Sequence, residues 1–171
     1  MIKLSVYTLP TAKWERAFPK MKEKIEQAAA LAFLNAKKPA AFRRRSFEIT
    51  VALENDAVVK SLNRSWRGKN KPTNVLSFPQ IDLVKFKTSA LSAFPVKEPV
   101  PLGDVVLAFE TVRRECREQE KSMENHVIHL VVHGVLHLLG YDHMRVKDAK
   151  IMEKLECDIL NSLGYPPPYE T

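Results

Sequence analysis

Hydrophobic and polar residues alternate over residues 46–54 (SFEITVALE), with Phe47, Ile49, Val51 and Leu53 in every second place. That period predicts a strand with one buried face. Residues 1–7 alternate in the same way and predict a short strand broken by Pro10. Two apolar runs predict two more strands: 73–78, closed by Pro79, and 104–109, behind Gly103. Elsewhere the spacing is helical. Over residues 14–36, Ile25, Ala28, Ala29, Ala32 and Phe33 recur at three- and four-residue intervals, which predicts one helix ending before Pro39. Asn55 or Asp56 caps a predicted helix over 56–67, with Val58, Leu62 and Trp66 on a core face and Lys60, Arg64 and Arg67 on a cationic one. Further helices are predicted at 110–119, 124–139 and 146–163, and the prolines at 166–168 predict an extended tail. Residues 80–102 carry Pro95, Pro99 and Pro101 without a regular period, and residues 80–101 are expected to form a mobile loop. Strands early and helices late fit a mixed sheet with helices on its faces, an α+β or α/β domain of about four strands and five or so helices.

The chain's 171 residues suit one compact domain. Its longest apolar stretch, 127–139, is interrupted by histidines and is shorter than the ~20 residues of a membrane span. Lysines, Glu15 and Glu23 occupy the first 25 residues without an apolar core, so no secretory signal is expected and the cytoplasm is the expected compartment. Cys116 and Cys157 lack a CxxC spacing and read as ordinary, partly buried thiols.

Charge changes the picture. Net charge is +7, but residues 1–75 hold 16 Lys and Arg against 6 Asp and Glu, while residues 76–171 hold 11 against 14. Two clusters contain no acid: Lys37, Lys38, Arg43, Arg44 and Arg45, then Lys60, Arg64, Arg67, Lys69 and Lys71. A phosphate backbone is the natural partner for such clusters, and a solvated surface is the alternative.

All five histidines, His126, His129, His133, His137 and His143, fall within 18 residues. His133 and His137 are four apart on a helical segment, so their rings share a face one turn apart. Gly140 then ends the helix and the chain presents His143, giving the pattern H-x3-H-x5-H. Three nitrogens on one divalent ion leave a fourth position for water, the arrangement of catalytic rather than structural zinc. Imidazoles buried in an apolar helix would otherwise each need a partner, which one ion supplies at once. His129 fits the core or a pocket wall, and His126 is expected at the surface of the helix start. A zincin H-E-x-x-H places a glutamate where this chain has Gly134, so that class of peptidase is disfavoured. Gly134 itself suggests a close approach to the helix. Asp142 is the nearest carboxylate and reads equally as a base or a turn residue. Phe78 and Tyr141 are candidates to stack a base, or core residues.

Residues 133–143, HGVLHLLGYDH, resemble the signature of the YbeY family of bacterial endoribonucleases and rRNA maturation factors. Residues 62–79, LNRSWRGKNKPTNVLSFP, and the Leu-Gly-Asp at 102–104 resemble two other stretches of that family, so the resemblance spans roughly residues 54–163. It implies a single-domain α+β fold, a zinc ion on His133, His137 and His143, a basic cleft for single-stranded RNA, and an arginine in that cleft matching Arg67.

The residues support such a substrate on their own account. Phosphodiester cleavage builds charge on the phosphoryl oxygens, which a metal and the planar fork of Arg67 would stabilise, while Lys60, Arg64, Lys69 and Lys71 would track the backbone. The leading expectation is therefore a single-strand-specific, metal-dependent endoribonuclease in rRNA maturation and ribosome quality control, with ribosomal proteins or the small ribosomal subunit as further partners and none in the membrane. Two alternatives come from other classes. One is a non-catalytic, zinc-stabilised rRNA-binding assembly factor; the other is a metallohydrolase on a small molecule or peptide, against which Gly134 and the charge asymmetry count.

Overall fold

The computed structural model describes residues 3–169. Its strands are β1 (Lys3–Pro10), β2 (Ser46–Glu54), β3 (Val75–Pro79) and β4 (Val100–Ala108), joined in one sheet of order β1-β2-β4-β3. The first, second and fourth run parallel, and β3 lies antiparallel along the β4 edge. Among the described residues there are six α-helices: α1 (Ala12–Ala17), α2 (Met21–Asn35), α3 (Asp56–Arg67), α4 (Phe109–Glu118), α5 (Met123–Leu138) and α6 (Val146–Ser162). Short 3-10 turns lie at Ala40–Arg44 and Thr88–Ala93. This is the α+β architecture the sequence led us to expect.

The two faces of the sheet carry different loads. Phe47, Ile49, Val51 and Leu53 of β2 are all buried against a core built with α2, α5 and α6, where Ile25, Phe33, Val131, Val135 and Ile159 meet them. Each such side chain contributes about 1.5–3 kcal/mol when removed from water. On the other face Leu76, Val106 and Ala108 meet only Val59 of α3, with Leu62 and Phe78 at the rim. Helix α5 thus lies on the heavily packed face and α3 on the lighter one.

Several expected boundaries move. The single helix over 14–36 is two, because Pro19 lacks an N–H and disfavours helical backbone in the residue before it. The first of the two buries Trp14, whose indole N–H donates to the Glu54 carbonyl at 2.9 Å. Of the strand expected at 1–7, Met1 and Ile2 lie outside the described residues, and the rest continues to Pro10, which an edge strand tolerates at its end. Strand β4 starts at Val100 and hands over to α4 at Phe109, ahead of the 104–109 expected. Residues 80–102 are not without regular structure: they include the second 3-10 turn and the start of β4, with Ile81 and Leu91 buried.

Helix α3 spans the expected residues and is capped by Asn55, whose Oδ1 accepts the Val58 N–H at 2.9 Å. Its inward face, however, is Val59, Leu62 and Asn63 rather than Val58, Leu62 and Trp66. Asn63 turns inward to donate from Nδ2 to the Lys71 carbonyl at 2.8 Å, and that rotation leaves Trp66 73% exposed. Cys116 is buried, Cys157 half-buried, and both are free. Among the described residues no helix is long and apolar enough to cross a membrane.

Candidate metal centre

Helix α5 is capped by Ser122, whose hydroxyl accepts the Asn125 N–H at 3.0 Å. Midway it rests directly on the sheet: a Cβ at Gly134 would stand 2.6 Å from Val105 Cγ1, and the Ser77 hydroxyl donates to the Gly134 carbonyl at 2.9 Å. The close approach that a glycine inside a helix suggests is therefore to β3 and β4. A glutamate at this position would run into the sheet, away from any metal-bound water. The helix ends in a left-handed Gly140 (φ 87°), with the Gly140 N–H donating to the His137 carbonyl at 3.0 Å and the Tyr141 N–H to the Leu136 carbonyl at 3.1 Å. The turn folds Tyr141 back over His137 and sets His143 beside it. Asp142 Oδ1 accepts the N–H groups of His143 at 2.7 Å and Met144 at 3.3 Å, so this carboxylate shapes the turn.

One nitrogen from each of His133, His137 and His143 lies within 4.8 Å of the other two. Nε2 of His133 and Nε2 of His137 face each other at 3.0 Å. Their far nitrogens are both engaged: His137 Nδ1 lies 2.9 Å from the Tyr141 carbonyl oxygen, and His133 Nδ1 lies 2.5 Å from Glu156 Oε1. A carbonyl only accepts, so His137 Nδ1 carries the hydrogen and Nε2 of the neutral ring presents a lone pair. Burial, then the neighbouring His133 and His143, lowers the His137 pKa to about 4, which keeps that ring neutral. Burial alone would raise the Glu156 pKa, but hydrogen bonds from His129 and His133 and the proximity of His133 bring it down to about 2, so it accepts as a carboxylate. Both Nε2 lone pairs thus point at each other, an arrangement that is repulsive without a cation or a shared proton between them. In a tetrahedral site with nitrogen bonds of ~2.0–2.1 Å, two ligands stand about 3.3 Å apart, close to the spacing here. The donor set fits a divalent ion: two half-buried imidazoles, an exposed third, and a solvent side left open.

The remaining histidines behave differently. His126 is buried, not at the surface as expected, because its Nε2 meets Glu115 Oε2 at 2.7 Å. Burial would raise the Glu115 pKa, yet hydrogen bonds from His126 and Asn74 lower it on balance. His129 Nε2 lies 3.5 Å from Glu156 Oε2 and 3.4 Å from the Tyr169 hydroxyl. His129, His133 and Glu156 form a second convergent group, which spacing along α5 did not reveal. Glu156 had one visible signal: it stands with Met152, Ile159 and Leu160 on the buried stripe of α6, where a carboxylate needs partners.

The second basic cluster sits as expected on α3 and the turn after it. Lys60, Arg64, Arg67, Lys69 and Lys71 are all exposed, and among the described residues none enters an ion pair. Arg67 is the exposed last residue of α3, and among the described residues it shares no hydrogen bond with the histidines. The first cluster is partly spent on the fold. Lys38 donates to the Leu34 carbonyl at 3.1 Å and the Ala36 carbonyl at 2.6 Å, closing α2, and Arg45 holds the carbonyls of Phe94 and Pro95 at 3.1 and 3.2 Å. Tyr141 is half-buried and its hydroxyl accepts the Lys37 N–H at 3.0 Å, while Phe78 packs at 6.1 Å from the Trp66 ring. Both serve the packing.

Fold and site together define a small α+β protein in which the end of α5 and the turn after it bring together three histidine nitrogens that could hold a metal ion. The family model described as Endoribonuclease YbeY matches residues 11–164, and the chain belongs to that family. It is 46% identical over 152 residues to an Endoribonuclease YbeY of Rhizobium etli, covering 86% of this chain and 81% of the relative. A second, from Paramagnetospirillum magneticum, is 43% identical over 161 residues, covering 94% and 92%. The solution structure of a Thermotoga maritima protein, 20% identical, superposes with a TM-score of 0.52 over 98% of this chain and 100% of that one, and shows the same fold. The family match stops just before the proline-rich tail.

Proposed function

We propose that this chain is a zinc-dependent endoribonuclease, specific for single strands, that acts in the cytoplasm on ribosomal RNA during its maturation and quality control. The observation that carries this is the pair of imidazoles whose Nδ1 atoms are fully engaged and whose Nε2 lone pairs converge with a third histidine. His133, His137 and His143 are the ligands. When bound, the ion supplies Lewis acidity and a water of lowered pKa. The protein's own part is orientation: the Tyr141 carbonyl and Glu156 set the two ring tautomers before any ion arrives. Arg67 engages phosphoryl oxygens through its planar fork, and Lys60, Arg64, Lys69 and Lys71 follow the strand without reading its sequence. Ribosomal proteins or the small ribosomal subunit present the RNA.

The test is cleavage of a single-stranded RNA by the purified chain, with and without a chelator. Activity is expected to vanish on chelation and return with zinc, and Arg67→Ala should lower cleavage by about 100-fold with zinc content unchanged. Undiminished cleavage in both Arg67→Ala and His137→Ala would refute the proposal. Salt-sensitive RNA binding without cleavage by the zinc-loaded wild type would favour the non-catalytic assembly factor instead.

A further inference from the structure

Glu156 is a fully buried carboxylate on an otherwise apolar stripe of α6. Such a group persists only where its oxygens are occupied. Oε1 takes the His133 Nδ1–H at 2.5 Å, and Oε2 accepts from the Tyr169 hydroxyl, with His129 Nε2 at 3.5 Å. Tyr169 is thus a direct neighbour of the group that sets His133. Its ring also meets His129 edge-on, with centroids 5.5 Å apart.

The tail reaches this point along a fixed course. It leaves α6 through a left-handed Gly164 (φ 81°), and the Tyr165 hydroxyl donates to Glu124 Oε1 at 2.8 Å. Three prolines follow, each with a restricted φ, and the Pro168 carbonyl accepts from Lys121 at 3.4 Å. Two ties at the start of α5 and a stiff proline run therefore deliver the Tyr169 hydroxyl to Glu156.

We propose that the C-terminal tail is a working part of the metal site: Tyr169 braces Glu156, and Glu156 holds His133 in the tautomer whose Nε2 binds the ion. Both act as positioning residues, through His133. The inference rests on the reading of His133, His137 and His143 as metal ligands. Groups that orient a ligating histidine in this way govern metal affinity by about 10–100-fold.

The test uses the full chain, stripped of metal and titrated with zinc against a chromophoric chelator, with nitrogen NMR of the histidine side chains in the metal-free state. Glu156→Ala should weaken zinc binding by about 10–100-fold and move the His133 proton from Nδ1 to Nε2. Glu156→Gln keeps an acceptor oxygen and should recover much of the affinity. Tyr169→Phe keeps the ring, loses the hydroxyl, and should weaken binding by up to about tenfold without lowering the melting temperature of the metal-free chain. Zinc affinity and tautomer unchanged in Tyr169→Phe would remove the brace, and unchanged values in Glu156→Ala would remove the whole proposal. If Glu156→Ala fails to fold, Glu156→Leu, which fills the buried space without an acceptor, takes its place with the same expected and refuting results. A wild-type chain that binds no zinc would refute the metal-site reading itself, whereas tight zinc binding without RNA cleavage would refute only the nuclease and leave this inference standing.

Discussion

The two ends of helix α5 carry the same residue type and put it to different uses. At the start, His126 is enclosed and its Nε2 is spent on the Glu115 carboxylate, which Asn74 also holds. At the end, the acceptors sit behind the rings, on the Nδ1 atoms of His133 and His137, and their Nε2 atoms face outward toward His143. The difference lies in which nitrogen the acceptor takes. An acceptor on Nε2 closes a histidine into the fold, and one on Nδ1, carboxylate or carbonyl, leaves Nε2 free to bind. Clustering in the sequence does not distinguish these cases; the placement of partners from other helices does.

Removing one histidine from each end of α5 separates the two uses. His137→Ala should weaken zinc binding by more than about 100-fold, beyond the effect of losing an orienting partner, and leave the metal-free chain nearly as stable as wild type. His126→Ala should do the reverse, lowering unfolding free energy by about 2–4 kcal/mol through a cavity and a stranded Glu115, with zinc affinity unchanged. Zinc titration and denaturant unfolding of both variants check the pair. Equal effects on zinc would erase the distinction between the ends.

A smaller effect concerns acid. The His137 pKa is lowered in the fold to about 4, so the unfolded chain takes up this proton first as pH falls. The stability that the neutral ring contributes is fully present above the unfolded value of ~6.5 and is lost progressively as pH drops toward 4. The unfolding free energy of the metal-free wild type should therefore fall through that window, and His137→Ala should flatten the dependence. A wild-type profile that strengthens toward pH 4 would contradict the assignment.

Much of this molecule is legible in local sequence, for identifiable reasons. The alternation of SFEITVALE marks β2 to the residue because one sheet face is fully buried there. The H-x3-H-x5-H spacing brings three rings together because a helix turn and a glycine-terminated bend are both local devices. What spacing cannot convey is partnership across the chain. The rotation of α3 follows from Asn63 reaching Lys71. The burial of His126 depends on Glu115 in a different helix, and the orientation of His133 on Glu156 in α6. Pro19 was readable and splits the first helix; strong helix formers on both sides mask it.

We propose that three imidazoles, through nitrogens left free by partners behind them, hold one ion with an open side. X-ray absorption at the zinc edge of the zinc-loaded chain measures this directly. Three imidazole nitrogens at about 2.0–2.1 Å and one oxygen ligand are the expected result. Two or fewer imidazoles, or a closed shell containing sulfur, would contradict it.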